Sequence, residues 1–177
     1  RRAVAGDAVG QPDEARAREL GIKEAVLATS KGDTAIRAAE ILQGMRIVAV
    51  TYHCGYKEPF KHVLTDDLRR RLQAGGVTVV TASHALSGIE RSVAAKHSGV
   101  YPQLLIADSL RLFGQGTKVA VEIAVMAADA GALSGKDIVS IGGSGRGADT
   151  ALVLKPAHQN NFFELRIKEI VCKPRDF

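Results

Sequence analysis

The sequence predicts an α/β chain: a three-layer α/β/α sandwich on a mostly parallel sheet that finishes in an antiparallel edge strand. Short Val/Ile/Ala runs such as Glu24–Thr29, Arg46–Thr51 and Val77–Thr81 lack polar alternation, as strands buried on both faces do. Segments with helical spacing separate these runs, and a repeated strand–helix–strand order implies parallel pairing with helices on both sides. Regular alternation appears near the C-terminus, where Phe163, Leu165 and Ile167 interleave with Glu164, Arg166 and Lys168. That pattern marks a half-exposed edge.

Each element follows from local chemistry. Residues 1–11 show no periodicity and are expected to be irregular, leaving residues 12–177 as a single domain. Pro12 suits a first helical turn, Asp13 and Glu14 favour its positive end, and Gly21 stops the helix after Leu20. A strand at Glu24–Thr29 precedes a helix whose apolar face is Ala35, Ile36, Ala39 and Leu42, with Gly44 closing it. Arg46–Thr51 is the second strand. Thr65 caps a helix charged by Asp66 and Asp67 and ended by Gly75-Gly76, and Val77–Thr81 is the third strand. Ser87-Gly88-Ile89-Glu90 has capping-box spacing for a helix running toward Ser98-Gly99. Val100–Gly116, with Tyr101, Pro102 and Phe113, is expected to be less regular. Thr117–Gly131 is apolar on most sides and therefore a buried helix. Ile138–Ile141 and Leu152–Leu154 are the fourth and fifth strands.

Composition narrows the function classes. The chain has 177 residues, a net charge of +5, no Trp and few aromatics, so its core is built from Val, Ile, Leu and Ala. No Lys/Arg block is interleaved with aromatic residues, which argues against nucleic acid as a partner, while a moderately basic surface suits a small anionic ligand. Cys54 and Cys172 have no ligand-spaced neighbours, so reduced thiols and a cytoplasmic setting are expected. No apolar run reaches membrane-spanning length, no apolar segment follows the leading arginines as a signal peptide would require, and no His/Cys/Asp/Glu set has metal-ligand spacing. An open edge strand leaves room for a homo-oligomer.

In open α/β sheets ligands bind beyond the carboxyl ends of the strands. Those ends are rich in small polar residues here: Thr29-Ser30-Lys31-Gly32-Asp33-Thr34, Thr51-Tyr52-His53, Thr81-Ala82-Ser83-His84 and Gly142-Gly143-Ser144-Gly145. The first is the sharpest, because hydroxyls, a lysine and a glycine at a helix N-terminus favour phosphate. Its spacing is not that of a Walker loop. Gly143, Gly145 and Ala148 fit G-x-G-x-x-A, but a short apolar run closed by Pro156 follows where a dinucleotide fingerprint needs a helix. The same objection removes a nucleophile elbow at Ser144.

Thr29–Ala35, with Leu20–Val26 before it and Ala38-Ala39-Glu40 after it, resembles the C-terminal domain of pyruvate kinase. A closer resemblance is to a family of small stand-alone, mainly archaeal and bacterial proteins with that pyruvate kinase C-terminal-domain-like fold. The stretches His84–Arg91, Leu110–Glu122, Gly142–Ala151 and Pro156–Phe163 carry it. The likeness runs from Gly21 to the C-terminus, and the first twenty residues do not share it. Pyruvate kinase activity is not expected, since this length has no room for the catalytic barrel. The resemblance implies a phosphate at the Thr29–Thr34 loop and flavin mononucleotide (FMN) as a ligand.

Roles follow for individual residues. Thr29, Ser30, Lys31, Gly32 and Thr34 would take the phosphate. Thr51, His53, Thr81 and His84 would form the floor, while Arg111, Gln115, Gly116 and Lys118 would reach in from the loop and helix start. Glu122 pairs with Lys118 at i,i+4. Gly142, Gly143, Ser144, Gly145 and Arg146 would wall the other side, Ser144 donating its hydroxyl and Arg146 binding an anion or folding onto Asp149. Two function classes stay open: a protein that binds a phosphorylated metabolite, and an enzyme acting on one with His84 or His53 as acid/base.

Overall fold

A computed structural model of the chain describes residues 11–145 and 147–177. The segment expected to be irregular lies outside the described residues up to residue 10, and Gln11 already belongs to the first helix, α1, Gln11–Glu19. Among the described residues no helix is long and apolar enough to cross a membrane.

Six strands form one sheet: β1 (Glu24–Ala28), β2 (Arg46–Thr51), β3 (Thr78–Thr81), β4 (Ile138–Gly142), β5 (Thr150–Lys155) and β6 (Arg166–Cys172), in the spatial order β3-β2-β1-β4-β5-β6. β3, β2, β1 and β4 are parallel, with Val26 beside Val48 on one side and Ser140 on the other. β5 runs back against β4, and β6 pairs antiparallel with β5 at the edge. The chain leaves β1 toward β2 on one side and returns to β4 on the other. That reversal opens a crevice above the carboxyl ends of β1 and β4.

Burial explains the three layers. Ala25 and Leu27 point from β1 into one core with Ala35, Ala38, Leu42 and Leu72, contributed by α2 (Asp33–Ile41), its end and α3 (Asp66–Ala74). Val26 points the other way, toward Val121 and Ala124 of α6 (Gln115–Asp129). Fully burying a Val or Leu side chain contributes roughly 1.5–3 kcal/mol, so β1, buried on both faces, anchors the sandwich. α5 (Pro102–Arg111) packs on α6, and α4 (Glu90–Lys96) packs on α5.

α6 approaches the sheet at backbone distance. A Cβ on Gly142 would stand 2.1 Å from the Gly116 carbonyl oxygen and 2.8 Å from the Ala120 nitrogen. One on Gly116 would stand 2.1 Å from Thr150 Oγ1. Ser140 completes the seam by donating its hydroxyl to the Ala120 carbonyl at 2.7 Å. This contact sets where the first turn of α6 sits above the crevice.

Three local expectations change. Val100–Gly116 is largely helical, because Pro102 occupies the first helical turn of α5, where its missing N–H costs nothing. The Ser87–Glu90 box does not form: α4 is preceded by Ile89 without a side-chain cap, and Glu90 accepts instead from the Leu104 N–H at 3.1 Å. That carboxylate joins α4 to α5. Phe163 lies in a short 3-10 helix, Gln159–Glu164, ahead of β6.

Candidate functional site

The loop after β1 is shaped by one threonine and one glycine. Thr29 extends the sheet by donating its N–H to the Val50 carbonyl at 2.9 Å, and its hydroxyl accepts from the Gly32 N–H at 3.1 Å. Gly32 has φ +102, and a Cβ on it would fall 2.4 Å from Leu68 Cδ2. That turn starts α2 at Asp33 with no side-chain cap on its first N–H groups, and Ser30 and Thr34 face the crevice. Orphan N–H groups beside two hydroxyls suit an anion. Lys31 is exposed and Gly32 is buried beneath the loop, and neither lines the crevice.

The opposite wall is the glycine stretch after β4. Gly142, Gly143, Gly145 and Gly147 line the crevice. Asp149 holds this loop: its carboxylate accepts from the Ser144 N–H at 3.1 Å, the Ser144 hydroxyl at 2.5 Å and the Thr150 hydroxyl at 2.7 Å. The Ser144 hydroxyl is therefore engaged within the loop and does not line the crevice. Arg146 lies outside the described residues.

α6 supplies a buried ion pair. Lys118 Nζ donates to Glu122 Oε2, with side chains 7% and 6% exposed, and Glu122 Oε1 accepts from the Leu86 N–H at 3.0 Å. Glu122 thereby fixes the segment after β3 that carries His84. Burial lowers the Lys118 pKa; Glu122 opposes that shift, while Arg111 and Arg91 reinforce it. Burial likewise lowers His84; Glu122 pulls it upward, and Lys118, His53 and Arg91 push it further down. His84 is thus held neutral at physiological pH. Arg111 donates to Gln115 Oε1 at 2.8 Å and to Asp108 Oδ1 at 2.5 Å, which aims it along the crevice mouth.

Aromatic rings border the floor. Tyr52 and Tyr56 stack at 4.1 Å with planes 2° apart, and His84 meets the edges of both at 5.7 and 5.2 Å. His53 donates Nδ1–H to the Cys54 carbonyl at 2.7 Å, leaving Nε2 as the free ring atom. Below the rings, Thr51 is 3% exposed and its hydroxyl has no hydrogen-bond partner among the described residues. A buried hydroxyl without a partner costs about 1–3 kcal/mol.

The crevice, with a volume of about 250 Å³, gathers Thr29, Ser30, Thr34, Thr51, His84, Arg111, Gln115, Lys118, Gly142, Gly143 and Gly145 from the residues expected there. His53 and Thr81 instead line an adjoining cavity of about 880 Å³, which shares His84, Ser87, Arg91 and Met126 with the first. Thr81 also accepts from Arg69 at 2.8 Å. Gly116 serves the helix–sheet contact and does not line the crevice. Tyr52, Tyr56, Ser87, Arg91 and Glu122 line it without having been assigned to it from the sequence. The signal for Tyr52 and Tyr56 was their place just after β2; Ser87 was read as a cap and Glu122 as the i,i+4 partner of Lys118. Among the described residues no group of three or more His, Cys, Asp or Glu side chains forms a metal site.

Comparison with known families matches the pyruvate kinase alpha/beta domain over residues 7–154, most of the chain. The match begins ahead of Gly21 and so takes in the segment that carries α1.

Proposed function

Since the chain belongs to the pyruvate kinase alpha/beta domain family, we propose that its crevice binds a phosphorylated small molecule, with FMN the leading candidate. The observation that carries this reading is Thr51, a buried hydroxyl with no partner at the floor of a polar cavity. A group left unsatisfied in the free protein is stabilised by a ligand that pairs with it. The anionic end belongs at Ser30, Thr34 and the uncapped start of α2.

FMN fits these residues in three respects. Its phosphate suits the α2 start, its ribityl hydroxyls suit Thr51 and Gln115, and its flat ring suits the glycine wall and the stacked Tyr52–Tyr56 pair. The crevice volume lies below the roughly 300–1,000 Å³ of sites for drug-sized ligands. The ring would therefore extend past His84 toward the adjoining cavity. A bound flavin would supply electron transfer, while the residues named here would bind and orient it. Cys54 and Cys172 are free thiols, in keeping with a cytoplasmic setting.

A second reading, an enzyme acting on a phosphometabolite, is favoured by His84. Its burial-lowered pKa keeps the imidazole able to accept a proton beside the anion site. His53 has a free Nε2 but stands one cavity away. The test begins with the absorbance spectrum of the protein as isolated, followed by unfolding midpoints with FMN, sugar phosphates and inorganic phosphate. A midpoint that rises with a phosphorylated compound and not with its dephosphorylated form supports the reading, because a ligand bound to the native state must stabilise it. No rise with any of them sinks it.

A further inference from the structure

We propose that Lys118 captures phosphorylated aldehydes or ketones as a protonated imine, which makes the crevice a site for carbonyl-bearing phosphate esters. This rests on the phosphate-binding reading above. Lys118 is the one buried lysine among the described residues, and it lines the same cavity as Ser30 and Thr34. A ligand held by its phosphate at the start of α2 presents its other end to the first turns of α6. Burial disfavours the ammonium form; Glu122 opposes this, Arg111 and Arg91 add to it, and the pKa is lowered on balance, the direction in which a lysine becomes a nucleophile.

Glu122 supplies the proton traffic. Its Oε2 accepts from Lys118 Nζ, and its Oε1 is fixed by the Leu86 N–H at 3.0 Å, so the carboxylate stays in place through the sequence. The ammonium gives one proton to Glu122, and the freed amine attacks the carbonyl carbon. A carbinolamine forms when one N–H proton moves to the oxygen. Glu122 then returns its proton to that hydroxyl, which leaves as water as the C=N bond forms. The nitrogen keeps one hydrogen and a positive charge. No external oxidant or reductant is needed.

The charge balance favours this chemistry at a buried site. Removing one partner of a buried ion pair is strongly unfavourable because it strands the other charge. The iminium retains the charge of the ammonium it replaces, so Glu122 keeps its partner in the adduct. Acylation to a neutral amide would not preserve that pairing.

The experiment uses the whole chain and pyridoxal 5′-phosphate as the probe, with borohydride reduction and peptide mapping. The expected result is an adduct on Lys118 at limiting probe, suppressed by excess inorganic phosphate and formed about tenfold less readily with pyridoxal, which lacks the phosphate. K118R should lose the adduct; mapping of the unsubstituted chain keeps the test valid if that variant fails to fold. Labelling confined to exposed lysines, with Lys118 untouched, overturns the proposal. Should inorganic phosphate raise the unfolding midpoint while Lys118 stays unlabelled, the phosphate site stands and the imine chemistry falls. Equal labelling of Lys118 by both probes, unaffected by phosphate, supports the lysine chemistry and removes the phosphate anchor.

Discussion

Gly116 and Gly142 meet backbone to backbone: a Cβ on Gly142 would lie 2.1 Å from the Gly116 carbonyl oxygen. Neither atom belongs to a flexible side chain, so the helix itself must shift to admit a methyl group.

Gly142→Ala is expected to destabilise the protein by at least the ~1–3 kcal/mol typical of overpacking. For a domain of this size each kcal/mol lowers the midpoint by roughly 2–4 °C. Thermal unfolding checks it, and a midpoint within one such step of the parent would show that α6 is free to move.

Thr51→Val removes the unpartnered hydroxyl while keeping the shape. The free protein should be as stable as the parent or more so, because a buried polar atom without a partner is lost. Any midpoint rise produced by FMN or a sugar phosphate should shrink. Equal ligand-induced shifts in parent and variant would mean that Thr51 does not touch the ligand.

Glu122→Ala strands the buried Lys118 charge and frees the Leu86 N–H. A loss of about 3–5 kcal/mol is expected, the range for breaking a buried pair. The Lys118→Met/Glu122→Leu double variant should recover most of it. A double-mutant cycle in denaturant measures both, and simple additivity would contradict a coupled pair.

Asp13 carries the pH dependence of the α1 docking. Burial raises its pKa to about 6, against a lowering hydrogen bond from Cys172. Arg16 is committed to Glu169 of β6 at 2.9–3.0 Å, leaving Cys172 as the polar contact of the carboxyl group among the described residues. Because the folded value lies above the unfolded one, the native state holds this proton more tightly. Its contribution is complete below about pH 4 and is lost as pH rises through about 6, on the order of 2–3 kcal/mol. Asp13→Asn should flatten this part of the profile and unfold later than the parent at pH 8. Midpoints taken between pH 4 and pH 8 decide it, and parallel profiles would sink it.

What the sequence made legible was whatever local chemistry controls. Strand runs, the Thr65 cap and the hydroxyl-rich ends of β1 and β2 are all set by nearest neighbours, and the structure places Thr29, Ser30, Thr34 and Thr51 together as their spacing implied. Residues whose role depends on a distant partner were not legible. Glu90 turns from its own helix start to Leu104, and Gly116 is a glycine because of Thr150. Pro102 looked like an interruption and opens a helix. Tyr52 and Tyr56 become a ring platform only when the three residues between them fold one ring onto the other.

The seam between α6 and β4 also divides the crevice mechanically. Its glycine side and the turn of α6 bearing Lys118 rest on main-chain contact and behave as one stiff body. The facing segment with His84 joins that body through Glu122 at Leu86 and through Ala82 and Ala85, which pack on the core that α6 covers. A change in what the crevice admits therefore has a small target: the residues between Thr81 and Glu90, which main-chain contact with α6 does not fix, with the wall across from them left untouched.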